Sequence, residues 1–134
     1  MRGFPQHSYE EELREGAGRF ECGTLNTVGC FGMRASLELL LEVGVERMAE
    51  TVHGLAEQLV EGARERGYRC STRRDRASGS GIVSIRKDGV DSAATARALV
   101  EQGVSIAERR GWLRLSPHFY NLPSQVEDVL RLLP

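Results

Sequence analysis

In "WLRLSPHFYN", residues 112–121, Arg114 stands between Leu113 and Leu115. Successive side chains of a strand alternate between faces, so Arg114 points away from the side its leucine neighbours take. A guanidinium held there suits bidentate pairing with a carboxylate, a substrate's included. The same pattern also describes an ordinary surface arginine on a half-exposed sheet. His118, four residues on, is a candidate acid or base and equally a structural histidine.

A second stretch, "RFECGTLNTVGCFG" at residues 19–32, offers different chemistry. Gly23 lets a backbone approach a ligand closely, and the Thr24 hydroxyl can donate to a phosphate oxygen. The helix that follows supplies free N–H groups and the positive end of its dipole. The competing reading is plain helix entry, with Asn26 or Thr24 as the cap. Cys22 and Cys30 are eight residues apart and Cys70 is remote, and His7, His53 and His118 add no ligand spacing. That pattern is not a zinc site. It reads better as small buried thiols, and no Cys/His pairing marks a catalytic cysteine.

The cations are unevenly divided: seventeen arginines and one lysine, Lys87. Any chemistry that needs an amine side chain has only Lys87 to draw on. The basic loop with Arg73, Arg74 and Arg76 has no interleaved aromatics, and the net charge is -1. A solvated turn fits it better than a nucleic-acid surface. No apolar stretch approaches the length of a membrane span. Residues 1–18 lack the apolar segment of a signal peptide. The odd cysteine count argues against a disulfide framework. Together these imply a cytoplasmic protein with no membrane or nucleic-acid partner.

The elements that must hold these residues follow from periodicity. The 134 residues suit one core, with 40% hydrophobic and 28% charged residues. A first helix follows Asn26 and ends at Gly44; its run 37–41 is apolar nearly all round, which predicts burial on most sides. A second helix spans about 45–66, with Val45, Met48, Val52, Leu55, Leu59 and Ala63 on one stripe and Gly67 as the stop. Residues 68–71 and 82–86 read as strands joined by the polar loop 71–81. Asp91 caps a third helix, 92–102, stopped by Gly103. Two further strands flank Arg110-Gly111, a hairpin turn. Ser124 and Glu127 form a capping box ahead of a last helix carrying Val126, Val129, Leu130 and Leu133. The order implies an α+β fold with a mainly antiparallel sheet packed by helices, after a long N-terminal helix pair.

"RFECGTLN", then "GIVSIRK", then "RRGWLRLSPHFYN" before a helix ending in "LLP" resembles the class V aminotransferase family. These are pyridoxal-phosphate enzymes of the aspartate-aminotransferase fold, and they include cysteine desulfurases and isopenicillin-N-epimerase-like proteins. The resemblance covers residues 17–134 and implies the C-terminal small domain, with 1–18 as an irregular tail or linker. It assigns the α-carboxylate of an amino-acid substrate to Arg114. It assigns the cofactor phosphate, across a dimer, to Gly23 and Thr24. It gives Asn26 no firm role.

The family's cofactor lysine, its pyridine-pairing aspartate and its ring-stacking histidine lie upstream of the matching segment and have no counterpart here. Lys87 follows a strand of the small-domain portion and does not correspond to that lysine. Pyridoxal phosphate is therefore expected only with a large domain supplied by another chain, and no residue here is assigned a catalytic role. Desulfurases carry a cysteine on a loop before the arginine strand, whereas this sequence crosses with a tight turn. The aminotransferase or epimerase-like side fits better. The competing class is a non-catalytic remnant or interaction module from a truncated gene. Alone, the apolar run 37–41 is expected to cause self-association.

Overall fold

The computed structural model describes residues 15–20, 23–71 and 79–134. The chain divides into two compact units, residues 1–38 and 39–134. Of the expected N-terminal tail, only residues 15–18 are described, and Gly16–Phe20 form a short 3-10 helix. The basic loop with Arg73, Arg74 and Arg76 lies outside the described residues, as does Cys22.

Helix α1 covers Thr27–Val43 and α2 covers Val45–Glu65, with Gly44 at φ 92° between them. Strand β1, Arg69–Cys70, precedes β2, Val83–Arg86. Helix α3, Ser92–Glu101, leads to β3, Ala107–Arg109, and β4, Trp112–Leu115. Helix α4, Pro123–Leu132, follows. The four strands pair in the order β1-β2-β4-β3, every neighbour antiparallel, so the expected α+β architecture is present.

Local chemistry sets the helix ends in residues 39–134. Asp91 Oδ1 accepts from Ala93 N at 2.8 Å and Ala94 N at 3.1 Å, starting α3 as expected. Helices α2 and α3 both end in a Schellman motif. Tyr68 N donates to Ala63 O and Gly67 N to Arg64 O; Val104 N donates to Leu99 O and Gly103 N to Val100 O. Gly67 at φ 81° and Gly103 at φ 82° supply the left-handed residue that the motif requires.

Helix α4 departs from the expected capping box. It starts at Pro123, whose missing N–H costs nothing in the first turn. Gln125 Oε1, not Glu127, reaches back to accept from Leu122 N at 2.9 Å.

One sheet face carries the core. Val83, Ile85, Leu113 and Leu115 pack against Leu55, Leu59 and Val60 of α2, Ala96 and Leu99 of α3, and Val126 and Leu130 of α4. Burying each such side chain fully contributes about 1.5–3 kcal/mol. Gly62 lets α4 approach α2, because a Cβ there would overlap Leu130 Cδ1. The stripe on α2 is buried only from Leu55 onward, and Val45 is 55% exposed. The short sheet meets the C-terminal half of the helix alone.

Burial of α1 on most sides is not seen among the described residues, and its exposed apolar run is what is expected of this portion alone. None of its residues is buried, and Leu41 is 71% exposed. The core of residues 39–134 is drawn from the sheet, α2, α3 and α4. Cys30, on α1, is likewise exposed and not a buried thiol; Cys70 is half-buried. An uncovered helix with Val28, Phe31, Met33, Leu37 and Leu39 all exposed predicts self-association of the purified chain. Light scattering at increasing concentration is expected to show mass above the monomer; a monodisperse monomer would contradict this.

Candidate functional site

Arg114 is placed by register. On β4 it pairs with Ser84 of β2 and Ala107 of β3, while Leu113 pairs with Ile85 and Leu115 with Val83. Directly opposed residues share a face, so Arg114 lies on the sheet face away from the core, as the alternation implies. Two contacts fix the hairpin that sets this register. Gly111 N donates to Glu108 Oε1 at 2.5 Å, and Ser92 Oγ donates to Gly111 O at 2.8 Å. Arg110 and Gly111, at φ 53° and 82°, form the two-residue turn with both angles positive that matches strand twist.

Arg114 is exposed among the described residues. Both cross-strand neighbours, Ser84 and Ala107, are small. The side chain is exposed and has no hydrogen bond or ion pair among the described residues. A planar fork of donors in that position can take a carboxylate in two parallel bonds. Neither of two surface grooves, of about 620 and 500 Å³, includes Arg114; both lie against the helices.

His118 is exposed and stacked on Tyr120, with ring centroids 4.6 Å apart. Its backbone N–H donates to Asn121 Oδ1 at 2.8 Å, and Asn121 N donates to His118 O at 2.9 Å. The turn after β4 is thus a closed structural loop feeding α4, which favours the structural reading of His118.

Gly23 and Thr24 belong to residues 1–38 and precede α1. Asn26 is the cap: its Oδ1 accepts from Gly29 N at 2.9 Å and its backbone carbonyl from Cys30 N at 3.0 Å. Thr27 N is used by Leu25 O, which leaves Val28 N–H without an acceptor among the described residues. The Thr24 hydroxyl is exposed and has no partner there either. Around Gly23, nothing among the described residues lies within 4 Å of where a Cβ would stand. Lys87 is committed elsewhere: its Nζ donates to Pro134 O at 3.0 Å and stands 5.5 Å from the Tyr68 ring centroid. Burial raises the Tyr68 phenol above its ordinary value. No group of three or more His, Cys, Asp or Glu suited to a metal occurs among the described residues.

The aminotransferase class-V family pattern matches residues 2–128. An uncharacterized aminotransferase of Bacillus subtilis strain 168, YcbU, is 30% identical over 117 residues, covering 85% of this chain and 30% of that protein. The apo structure of a cysteine desulfurase from Thermococcus onnurineus NA1 is similar with a TM-score of 0.78 and 25% identity, over 90% of this chain and 34% of that one. A NifS-like protein shares the fold with a TM-score of 0.72 and 21% identity, over 89% of this chain and 36% of that one. The fold is a partial domain of the pyridoxal-phosphate-dependent type, with the chain spanning about a third of these relatives' length. The chain belongs to the class V aminotransferase family.

That family is generally dependent on pyridoxal phosphate, and the residues present fit the cofactor only in part. The Thr24 hydroxyl and the Val28 N–H, without partners among the described residues, are groups of the kind that bind phosphate oxygens. They cannot neutralise a dianion, and the sole lysine is held by Pro134 O.

No helix among the described residues is long and apolar enough to cross a membrane. Sequence reasoning missed Arg86 and Arg109, which the sheet brings to the face of Arg114.

Proposed function

We propose that this chain is the C-terminal part of a pyridoxal-phosphate-dependent class V enzyme acting on an amino acid. Arg114 binds the substrate α-carboxylate, and Thr24, beside Gly23, touches the cofactor phosphate of a dimer partner. One observation carries the reading: Arg114 is an exposed guanidinium without a partner among the described residues, set between Ser84 and Ala107 on the sheet face away from the core.

When bound, the cofactor supplies the electron sink for bonds at the substrate Cα. The role of this chain is to orient the substrate and neutralise its carboxylate. The lysine that would hold the cofactor lies in a large domain outside these residues, since Lys87 follows strand β2 of the small-domain portion and its Nζ donates to Pro134 O. The two-residue turn at Arg110-Gly111 leaves no loop for a desulfurase cysteine, so the chemistry is aminotransferase- or epimerase-like. A cytoplasmic location accords with the odd cysteine count.

The second reading is a non-catalytic remnant or interaction module, which the exposed apolar side chains of α1 favour. Adding pyridoxal phosphate to the chain alone, and to the chain with a class V large domain, separates the two. Visible absorbance of a lysine-bound cofactor, together with turnover of an amino acid that needs this chain, supports the split enzyme. Absorbance from the isolated chain contradicts the assignment of the lysine to a large domain outside these residues. A large domain that gains nothing from this chain points to the remnant.

A further inference from the structure

The sheet face of Arg114 carries more charge than one carboxylate needs. Arg109 pairs with Trp112 of β4, two residues from Arg114. Continuing the β2–β4 register places Arg86 opposite Trp112 on the other side, and the Arg86 Cζ lies 3.8 Å from where a Cβ of Gly111 would be. Arg86 and Arg109 are therefore the diagonal neighbours of Arg114 across the two flanking strands, at roughly 7–8 Å.

All three guanidinium groups are exposed, and none has a hydrogen bond or ion pair among the described residues. The nearby carboxylates are otherwise engaged. Asp88 pairs with Arg69 at 2.6 Å, and Glu108 pairs with Leu113 in register, so it lies on the core side and receives Gly111 N–H. Like charges this close on a sheet destabilise it unless something anionic sits among them. The net charge of the whole chain is -1, so the cluster is local and not a general basic surface.

From this we infer that the face is a two-acid subsite, and that the substrate is an amino acid with an acidic side chain. The inference rests on the reading of Arg114 as the α-carboxylate group. With one acid on Arg114, an acid a few bonds away reaches Arg86 or Arg109 across Trp112. The residues opposite Arg114, Ser84 and Ala107, are both small. A neutral side chain in the same position would leave two guanidinium groups unneutralised. That difference in charge-assisted bonding is what discriminates between substrates.

Trp112 is the sole tryptophan of the chain and lies among the three arginines, so its fluorescence reports the site. The test titrates the full chain with glutarate and, at matched ionic strength, with its monoamide, a probe of similar shape lacking one charge. Both probes omit the amine, whose positive charge the face would repel. The expected result is a saturable, salt-sensitive change, with glutarate binding about tenfold tighter than the monoamide. R86Q with R109Q should reduce glutarate to the level of the monoamide and leave monoamide binding unchanged.

Equal binding of the two probes, no saturable response to either, or indifference to the double substitution would each overturn the two-acid subsite. Monoamide binding that survives R114Q would instead sink the Arg114 reading. Unchanged Trp112 emission in the unliganded variants verifies that the sheet is intact.

Discussion

Replacing Leu113 with alanine is expected to cost the fold about 2–5 kcal/mol, while Arg114→Gln, one residue along the same strand, costs less than about 0.5 kcal/mol. Leu113 is 0% exposed and pairs across the sheet with Ile85, also 0% exposed. Truncating it removes transfer free energy and leaves a cavity that helices on one side and a sheet on the other cannot close. Arg114 faces solvent and has no partner among the described residues to lose. Domain stabilities of about 5–15 kcal/mol make the first change visible as a large shift in urea midpoint. Trp112 fluorescence follows the unfolding from within β4. The pair also tests the register: a slip of one residue would swap the two faces. Equal costs at 113 and 114, or the reverse order, would mean that the strand sits otherwise.

Features set by neighbours in sequence were legible before the structure. The order of helices and strands, the Gly67 and Gly103 stops, the Asp91 cap and the Arg110-Gly111 turn all depend on bonds reaching a few residues. The outward face of Arg114 followed from alternation alone. Features set by distant surfaces were not legible. An all-round apolar run says that a helix must be covered, not by what, and no residue of α1 is buried among the described residues. The apolar stripe of α2 continues past the end of the sheet that buries it, so periodicity overstated its buried length. Ser124 and Glu127 had the right types for a cap, but Pro123 began the helix earlier and Gln125 took the role. The grouping of Arg86, Arg109 and Arg114 depended on the pairing of β2 with β4, strands separated by a helix and a hairpin. The hairpin half was within reach of the sequence, since a two-residue turn fixes Arg109 opposite Trp112. As for the candidate site, Asn26 takes the Gly29 and Cys30 N–H groups and Leu25 O takes that of Thr27, which leaves the Val28 N–H and the Thr24 hydroxyl without partners among the described residues.

In the complete enzyme, with a large domain paired to this chain, Arg114→Ala is expected to raise KM for the amino-acid substrate about 10- to 100-fold. Hydrogen bonds to a charged group contribute about 1.5–3 kcal/mol, and each 1.4 kcal/mol is a factor of about ten. The carboxylate is bound alike before and during reaction at Cα, so most of the loss should fall on KM and less on kcat. Arg114→Lys should recover only part of the affinity, because an ammonium keeps the charge and loses the two-donor fork that a carboxylate fits. The urea midpoint of Arg114→Ala should stay near that of the unsubstituted chain, which separates lost binding from lost folding. A decarboxylated substrate analogue supplies the internal comparison: its KM should be high already and indifferent to the substitution. Unchanged KM and kcat for the amino acid in Arg114→Ala would remove the carboxylate role. The exposed guanidinium between Ser84 and Ala107 would then be an ordinary surface residue, and the two-acid subsite would fall with it.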